Sequence, residues 1–483
     1  TARLFFITGI AFLLPISAFM DHSSEEPHSP IDLSERDLLR SMRFNIVAGG
    51  FGMFWLAAAY GFPLPLFMQA LRATGFQLGV MGAIRQFAMF AQLPSAYLVE
   101  RLSRRKYFWA TVAIIHRSLW CLPALLPLLW PQGTASWPIL VIIAAGLSDL
   151  LGQASTAPWL SWMADLLPPE RAGRFWGIRQ RFLAFFLLFA TFLYGWLLDR
   201  ENRPAHPLLG FTFVFALAGI LGATDIIVHF GVLEPRPTPI KRGQSLWRRL
   251  AAPLRHREFR RLTLAMGAWN AAMALTGYSN GVPGFFNVIY LQEGFGASYS
   301  QASWLILASA GGAMLWTPCI GRAIDHFGAR SIGAWLMALG PCFTLAWFFV
   351  SPTRFRLPLL GWTPQPVILL SSMSLVIGGF YAGITLCQLR LTQALTSRAG
   401  RTLAIAVHWA SVGGIGAFGA LLGGWIKDHF PHAWTSFLLP AGAPCSYFQL
   451  LVLLQTLIAW AAALPLLLSL AKDPRSPPKK MTV

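Results

Sequence analysis

Arg171-Ala172-Gly173-Arg174 and Arg398-Ala399-Gly400-Arg401 are the same tetrapeptide, set 227 residues apart in a chain of 483. A second pair of charged stretches repeats at nearly the same interval. Glu100-Arg101-Leu102-Ser103-Arg104-Arg105-Lys106 is answered by Gly321-Arg322-Ala323-Ile324-Asp325-His326-Phe327-Gly328-Ala329-Arg330, and their acids Glu100 and Asp325 stand 225 residues apart. Two unrelated signatures sharing one offset point to an internal duplication.

The duplicated unit belongs in lipid. Hydrophobic residues make up 55% of the chain and charged residues 12%, about half the charge of an ordinary soluble domain. Many segments reach the roughly 20 apolar residues that carry a helix across about 30 Å of hydrocarbon, and few alternate with the period of a barrel strand. The expected fold is therefore an all-α integral membrane protein with twelve transmembrane helices in two pseudo-symmetric six-helix bundles. The spans are read at 43–71, 76–99, 107–130, 138–167, 175–198 and 207–233, then 261–291, 297–324, 331–350, 365–396, 402–426 and 446–471. Domains follow: an N-terminal extension and polar tail at 1–41, a first bundle at 42–233, a basic linker at 234–260, a second bundle at 261–471 and a tail at 472–483. Pro63, Pro65, Pro94, Pro123, Pro158 and Pro283 are expected to kink their helices. Residues 1–19 have an apolar run behind Arg3, without a signal-peptidase site, and read as an upstream extension ahead of Met20.

Charge orients the chain. One side of the expected spans holds only Arg72, Arg200, Arg203, Arg354, Arg356 and Lys427, while arginine and lysine crowd the other. Both termini are expected to face the cytoplasm, in a bacterial inner (plasma) membrane. The net charge of +19 then reads as a topology signal and an attraction to anionic lipid of the inner leaflet. Spread over short loops, it does not read as nucleic-acid binding. Within the linker, Leu246, Trp247, Leu250 and Leu254 recur at helical spacing among Arg248, Arg249 and Arg255, as in a helix lying on the inner leaflet.

Chemistry-bearing motifs are scarce. Cys121, Cys319, Cys342, Cys387 and Cys445 are odd in number and lack CxxC spacing, so neither a disulfide framework nor a zinc site is expected. His429 and His432 in an outer loop read as solvated surface. Gly277-Tyr278-Ser279-Asn280-Gly281 fits GxSxG, yet it sits inside an apolar span rather than at a strand-to-helix elbow. No enzyme activity, cofactor or resident metal is expected.

At the repeated charged stretches the chain resembles the major facilitator superfamily, whose loop between helices 2 and 3 carries a Gly-x-x-x-Asp-basic-x-Gly-basic-basic pattern echoed between helices 8 and 9. Gly321, Asp325, Gly328 and Arg330 match the second copy; the first keeps the charges through Glu100, Arg101, Arg104 and Arg105 but has Ala96 and Ser103 where the pattern has glycine. Asp165 through Arg171 and Arg174 is similar to the family's loop after helix 4. The resemblance covers about residues 40 to 471. It implies that Glu100, Arg101, Arg104, Arg105, Asp165, Arg171, Arg174, Gly321, Asp325, Gly328, Arg330, Arg398 and Arg401 form a cytoplasmic gate tying the two halves together. It also implies that helices 1, 4, 7 and 10 line a central cavity.

Solute chemistry is expected from polar residues stranded at mid-span, because ionisable groups are costly there. Asp149 falls near the middle of the fourth span and Arg117 near the middle of the third, with Arg85 slightly off-centre in the second. Arg390 and Asp225 fall nearer the cytoplasm. The candidate solute-binding residues are Arg85, Asp149, Gln153, Asn280, Asn287, Gln388 and Arg390, and the candidate proton-coupling residues are Asp149 and Asp225. An arginine would receive an anionic or hydroxyl-rich solute while Asp149 took up a proton; a permanent ion pair is the competing reading. The expected function is secondary active transport of a small polar or anionic solute by alternating access, coupled to protons. Efflux of amphipathic compounds and a non-transporting membrane scaffold or sensor are the alternatives, and oligomeric state is left open.

Overall fold

The computed structural model describes residues 34–99, 102, 104–130, 134–235, 246–277, 284–358, 361–396, 401–430 and 445–471, without the side chains of 169–170, 246–249 and 401–402. Expectations on Glu100, Arg101, Asn280, Pro283, Arg398, His432, residues 1–33, residues 472–483 and the Arg401 side chain fall outside these residues, while the last part of the expected N-terminal tail, from Glu35, is already helical.

Helices build nearly everything described. Before the linker these are α1 (Glu35–Ala59), α2 (Pro63–Ala70), α3 (Gly75–Phe87), α4 (Gln92–Val99), α5 (Arg105–Ser118), α6 (Cys121–Leu129), α7 (Trp137–Leu166), α8 (Pro169–Glu201) and α9 (Leu209–His229). The linker contributes α10 (Leu246–Arg255), over the residues whose spacing predicts a helix. Then come α11 (Arg257–Leu275), α12 (Phe285–Phe295), α13 (Tyr299–Phe327), α14 (Ala329–Thr344), α15 (Gln365–Ala394), α16 (Arg401–His429), α17 (Tyr447–Ile458) and α18 (Leu464–Leu468).

Ten helical segments among the described residues are long and apolar enough to cross a membrane. The expected spans 76–99 and 261–291 are not among the ten. The first is helical from Gly75 to Val99 but carries Gln77, Arg85, Gln86 and Gln92; the second is split between α11 and α12. Outward-facing positions are apolar, as at Leu128, Phe185, Trp335 and Phe418, which suits a lipid solvent.

Proline acts where it removes a donor the helix needs. The first span stops at Ala59 and restarts at Pro63, α5 stops at Ser118 shortly before Pro123, and a 3-10 turn at Ala88–Ala91 precedes Pro94, whereas Pro158 sits inside an unbroken α7. One expectation needs correction. Gly321 and Asp325 are not in a loop: α13 runs on to Phe327 and only Gly328, with φ of +82°, stands between it and α14, because nothing before that glycine breaks the helix. Between α14 and α15 the all-α fold carries one short antiparallel hairpin, Arg354–Leu357 with Gly361–Pro364.

Helices α13 and α15 touch backbone to backbone. A Cβ on Gly312 would collide with the carbonyl oxygen of Leu375, and one on Gly378 with that of Ser309. Each glycine thus faces the carbonyl three residues before the other.

The two ends of the bundle differ. The end where α1 begins and α18 finishes holds Arg105, Asp165, Glu234, Arg171 and Arg330, while the opposite end holds Asp199, Glu293, Lys427 and Asp428. At that opposite end the two halves meet. Asp428 Oδ1 and Oδ2 accept the backbone N–H groups of Gly75 (2.6 Å) and Phe76 (2.7 Å), and Asp199 Oδ1 and Oδ2 accept those of Tyr299 (2.8 Å) and Ser300 (2.9 Å).

Candidate functional site

The site grows from the break in the first span. Pro63 has no N–H, so the carbonyl of Ala59, four residues earlier, loses its helical donor. Arg85 on α3 fills that vacancy, its Nη2 donating to Ala59 O at 2.8 Å. Its Nε donates to Asp149 Oδ2 on α7 at 3.1 Å, and the Tyr60 hydroxyl, one residue past α1, donates to Asp149 Oδ1 at 2.6 Å. The guanidinium carbon lies 4.0 Å from the Tyr60 ring centroid and 5.6 Å from that of Phe285 on α12. Both charged side chains are enclosed, with Arg85 6% and Asp149 2% exposed. Low polarity strengthens such a pair and makes either charge alone very costly.

Arg85 is also where the halves face each other. A small cavity beside it is lined from the first half by Leu78, Gly79, Gly82 and Gln86, and from the second by Ala274, Gly277, Phe285, Phe286 and Ala420. Gln86 Oε1 accepts from Asn270 Nδ2 at 3.1 Å across this boundary. Opposite the broken first span stands the equally broken pair α11 and α12. Gly277, with φ of +79°, leaves α11 so tightly that a Cβ there would meet the Phe285 nitrogen at 2.6 Å. Asn287 Nδ2 donates to the Thr276 carbonyl at 3.2 Å, much as Arg85 does to Ala59. Discontinuous helices whose freed backbone groups lie at mid-membrane are characteristic of transporter solute sites.

Arg117 does not join this set. It pairs with Asp225 on α9, Nη2 to Oδ2 at 3.1 Å, over the ring of Trp55 at 3.6 Å. The choice is steric: Gly52 and Gly222 clear the space, since a Cβ on Gly52 would lie 2.5 Å from Asp225 Oδ2 and one on Gly222 3.2 Å from Arg117 Cδ. His229 Nδ1 lies 3.0 Å from Asp225 Oδ1, while Asn45 Nδ2 approaches His229 Nε2 at 3.4 Å and Asn45 Oδ1 accepts from Arg179 Nε at 2.8 Å. The imidazole thus stands between the Asp225 carboxylate and Asn45, which links it to Arg179. Asp225 is therefore held inside the first half, apart from the Arg85 cavity.

The remaining expected residues are dispersed. Gln153 accepts from Gln92 at 2.5 Å. Gln388 is buried against His408 at 2.9 Å, whose other ring nitrogen is 2.9 Å from Thr263 Oγ1. Arg390 is 57% exposed and 3.6 Å from the likewise exposed Asp325; it does not line the cavity beside Arg85. Of the expected gate, Arg105 bonds Asp165 (2.6 Å) and approaches Glu234 (3.6 Å), Arg171 pairs with Glu35 (3.1 Å), and Arg330 donates to the Leu468 carbonyl. Each of these contacts joins elements of one half. Arg104 and Arg174 enter no ion pair among the described residues.

Sequence reasoning missed Tyr60, the pairing of Gln86 with Asn270, and Asp199 and Asp428. Tyr60 was within reach, because a polar ring three residues before Pro63 marks the end of a helix.

A family model described as the Major Facilitator Superfamily matches residues 44–414, about three quarters of the chain. No curated protein matches by sequence. Among solved structures, the chain is similar in fold to a point variant of the nucleoside transporter NupG, with a TM-score of 0.67 at 14% identity, over 89% of this chain and 100% of that one. It is also similar to a bacterial homologue of the iron transporter ferroportin in an inward-facing state (TM-score 0.62, 14% identity, 91% and 100% covered). A D-xylose-proton symporter aligns at a TM-score of 0.61 and 16% identity, over 91% and 98%.

Proposed function

We propose that this chain, which belongs to the Major Facilitator Superfamily, is a secondary transporter that carries a small organic anion together with a proton, by alternating access around Arg85. Its two halves would be the segments 42–233 and 261–471, its arginine-rich end would face the cytoplasm of a bacterial inner membrane, and α10 would lie on the anionic inner leaflet. The observation that carries the reading is the enclosed Arg85–Asp149–Tyr60 cluster beside a cavity shared by both halves.

The chemistry follows from charge balance. In the empty protein Asp149 neutralises Arg85. Protonation of Asp149 removes the acceptor at Oδ2 and leaves Arg85 with an uncompensated charge in a dry site. A carboxylate or phosphate oxygen from the solute then takes the place of Asp149, and Tyr60 continues to donate to Oδ1. One anion with one proton restores neutrality; either alone does not. The Ala59 carbonyl keeps the guanidinium in place while its acidic partner is exchanged.

A thermal-shift screen in detergent against organic anions, sugars, peptides and lipophilic cations tests the solute class, since a ligand at 100 times its dissociation constant stabilises by about 2.7 kcal/mol. Stabilisation by an anion, lost in Arg85→Lys, is the expected result, because an ammonium does not reproduce the guanidinium fork. Stabilisation only by lipophilic cations, unaffected by that change, would replace this reading with efflux.

With the anion identified, Asp149→Asn is expected to retain anion exchange in proteoliposomes and to lose acceleration by an inward proton gradient. Gradient-driven accumulation surviving in Asp149→Asn would remove Asp149 from the coupling step and shift attention to Asp225.

A further inference from the structure

We propose that Asp199 and Asp428 are a matched pair of latches that close the end of the bundle remote from Glu35 and Leu468, and that their release opens that end. Asp199 lies in the last turn of α8 and Asp428 in the last turn of α16. A carboxylate there opposes the negative end of its own helix dipole, so neither acid stabilises the helix that carries it. Each instead meets the positive N-terminus of a helix from the other half, α13 for Asp199 and α3 for Asp428, and accepts two backbone N–H groups.

The receiving helices are built alike. Thr74 and Gln77 form a capping box on α3, and Ser298 and Gln301 form one on α13, each box bonding the third helical N–H and returning a side-chain oxygen to the cap. The two boxes are 224 residues apart and the two acids 229 apart, close to the interval of the repeated Arg-Ala-Gly-Arg. In both helices the box satisfies its own N–H and leaves the first two to the acid of the opposite half. Close packing goes with each contact: a Cβ on Gly75 would lie 2.6 Å from the Gly424 carbonyl, and one on Gly195 2.9 Å from the Ser300 Cα. At the other end of the bundle, by contrast, the pairs of Arg105, Arg171 and Arg390 stay within one half. The duplication has thus produced two equivalent ties between the halves at this end, and among the described residues no ion pair matches them at the other. Both acids are solvent-exposed, so water solvates them once the halves part, and the ties break and re-form without stranding a buried charge.

The inference rests on the alternating-access reading for its use but not for its test, which needs no solute. Nitroxide labels at Ala205 and Arg356, exposed at this end on opposite halves, report the opening by pulsed electron spin resonance in a background lacking the native cysteines. The double variant Asp199→Ala/Asp428→Ala is expected to raise the ratio of the long-distance to the short-distance population on the order of tenfold, with each single variant intermediate. Glu293→Gln, which removes a carboxylate paired with Lys427 inside the second half, is expected to leave the distribution unchanged. Melting temperatures equal to the parent's would show that the bundles remain folded. An unchanged distribution in the folded double variant, or an equal shift in Glu293→Gln, would overturn the proposal.

Discussion

Arg85→Ala is expected to lower the free energy of unfolding by about 3–5 kcal/mol and to abolish anion binding. Asp149, 2% exposed, would lose the only cation within ion-pair distance among the described residues, and the Ala59 carbonyl would lose the Arg85 Nη2 donor that replaces the N–H Pro63 lacks. The companion measurement separates structure from function. Arg85→Met with Asp149→Leu replaces the pair by apolar groups of similar size and is expected to recover most of the stability, because two enclosed charges are about as costly to bury as they are helpful to pair. Ligand-induced stabilisation should stay absent. Chemical denaturation in detergent, with and without the anion, reads both quantities; anion binding in the apolar double variant would detach the pair from the solute site.

Gly378→Ala and Gly312→Ala are expected to cost about 3 kcal/mol each, the upper range for overpacking. The added methyl meets a backbone carbonyl of the facing helix, not a movable side chain, so α13 and α15 must separate along their contact. The changes act on one seam and should be strongly non-additive, the second costing less once the first has moved the helices apart. Gly173→Ala, where no atom lies within 4 Å of the new methyl, is the control and should melt with the parent protein.

Much of this architecture was readable from the chain because lipid imposes simple rules. Apolar length anticipated the ten described segments able to cross a membrane, though not the broken spans 76–99 and 261–291, and the cost of mid-span charge singled out Arg85 and Asp149, which pair. The same rule placed Arg117 with Asp149, since depth along a span says nothing about which way a side chain turns. Absent Cβ atoms at Gly52 and Gly222 make that decision, and their effect exists only once the helices have packed. The stretch Gly321 to Arg330 reads as a loop by its charges, yet a charged helix end differs from a loop only at the residue whose φ ends it, Gly328. Asp199 and Asp428 escaped notice for another reason: counting only lysine and arginine to orient the chain treats acids at helix ends as solvated decoration. Their meaning lies in partners at least 100 residues away.

The coupling of Arg85 to Asp149 and of Arg117 to Asp225 also bears on the membrane voltage. Each couple sums to zero charge, so neither feels the roughly 2.3 kcal/mol that 100 mV exerts on a unit charge. On the proposed transport reading, these two couples would add no voltage dependence to the reorientation of the unloaded protein. A proton taken up without its anion would convert the Arg85 couple to a net positive charge, and the voltage would then act against carrying it outward. The same field would favour carrying that charge inward, so on the proposed reading leak of the driving ion without cargo is opposed by the cost of an unpaired Arg85 in a dry site and not by the voltage.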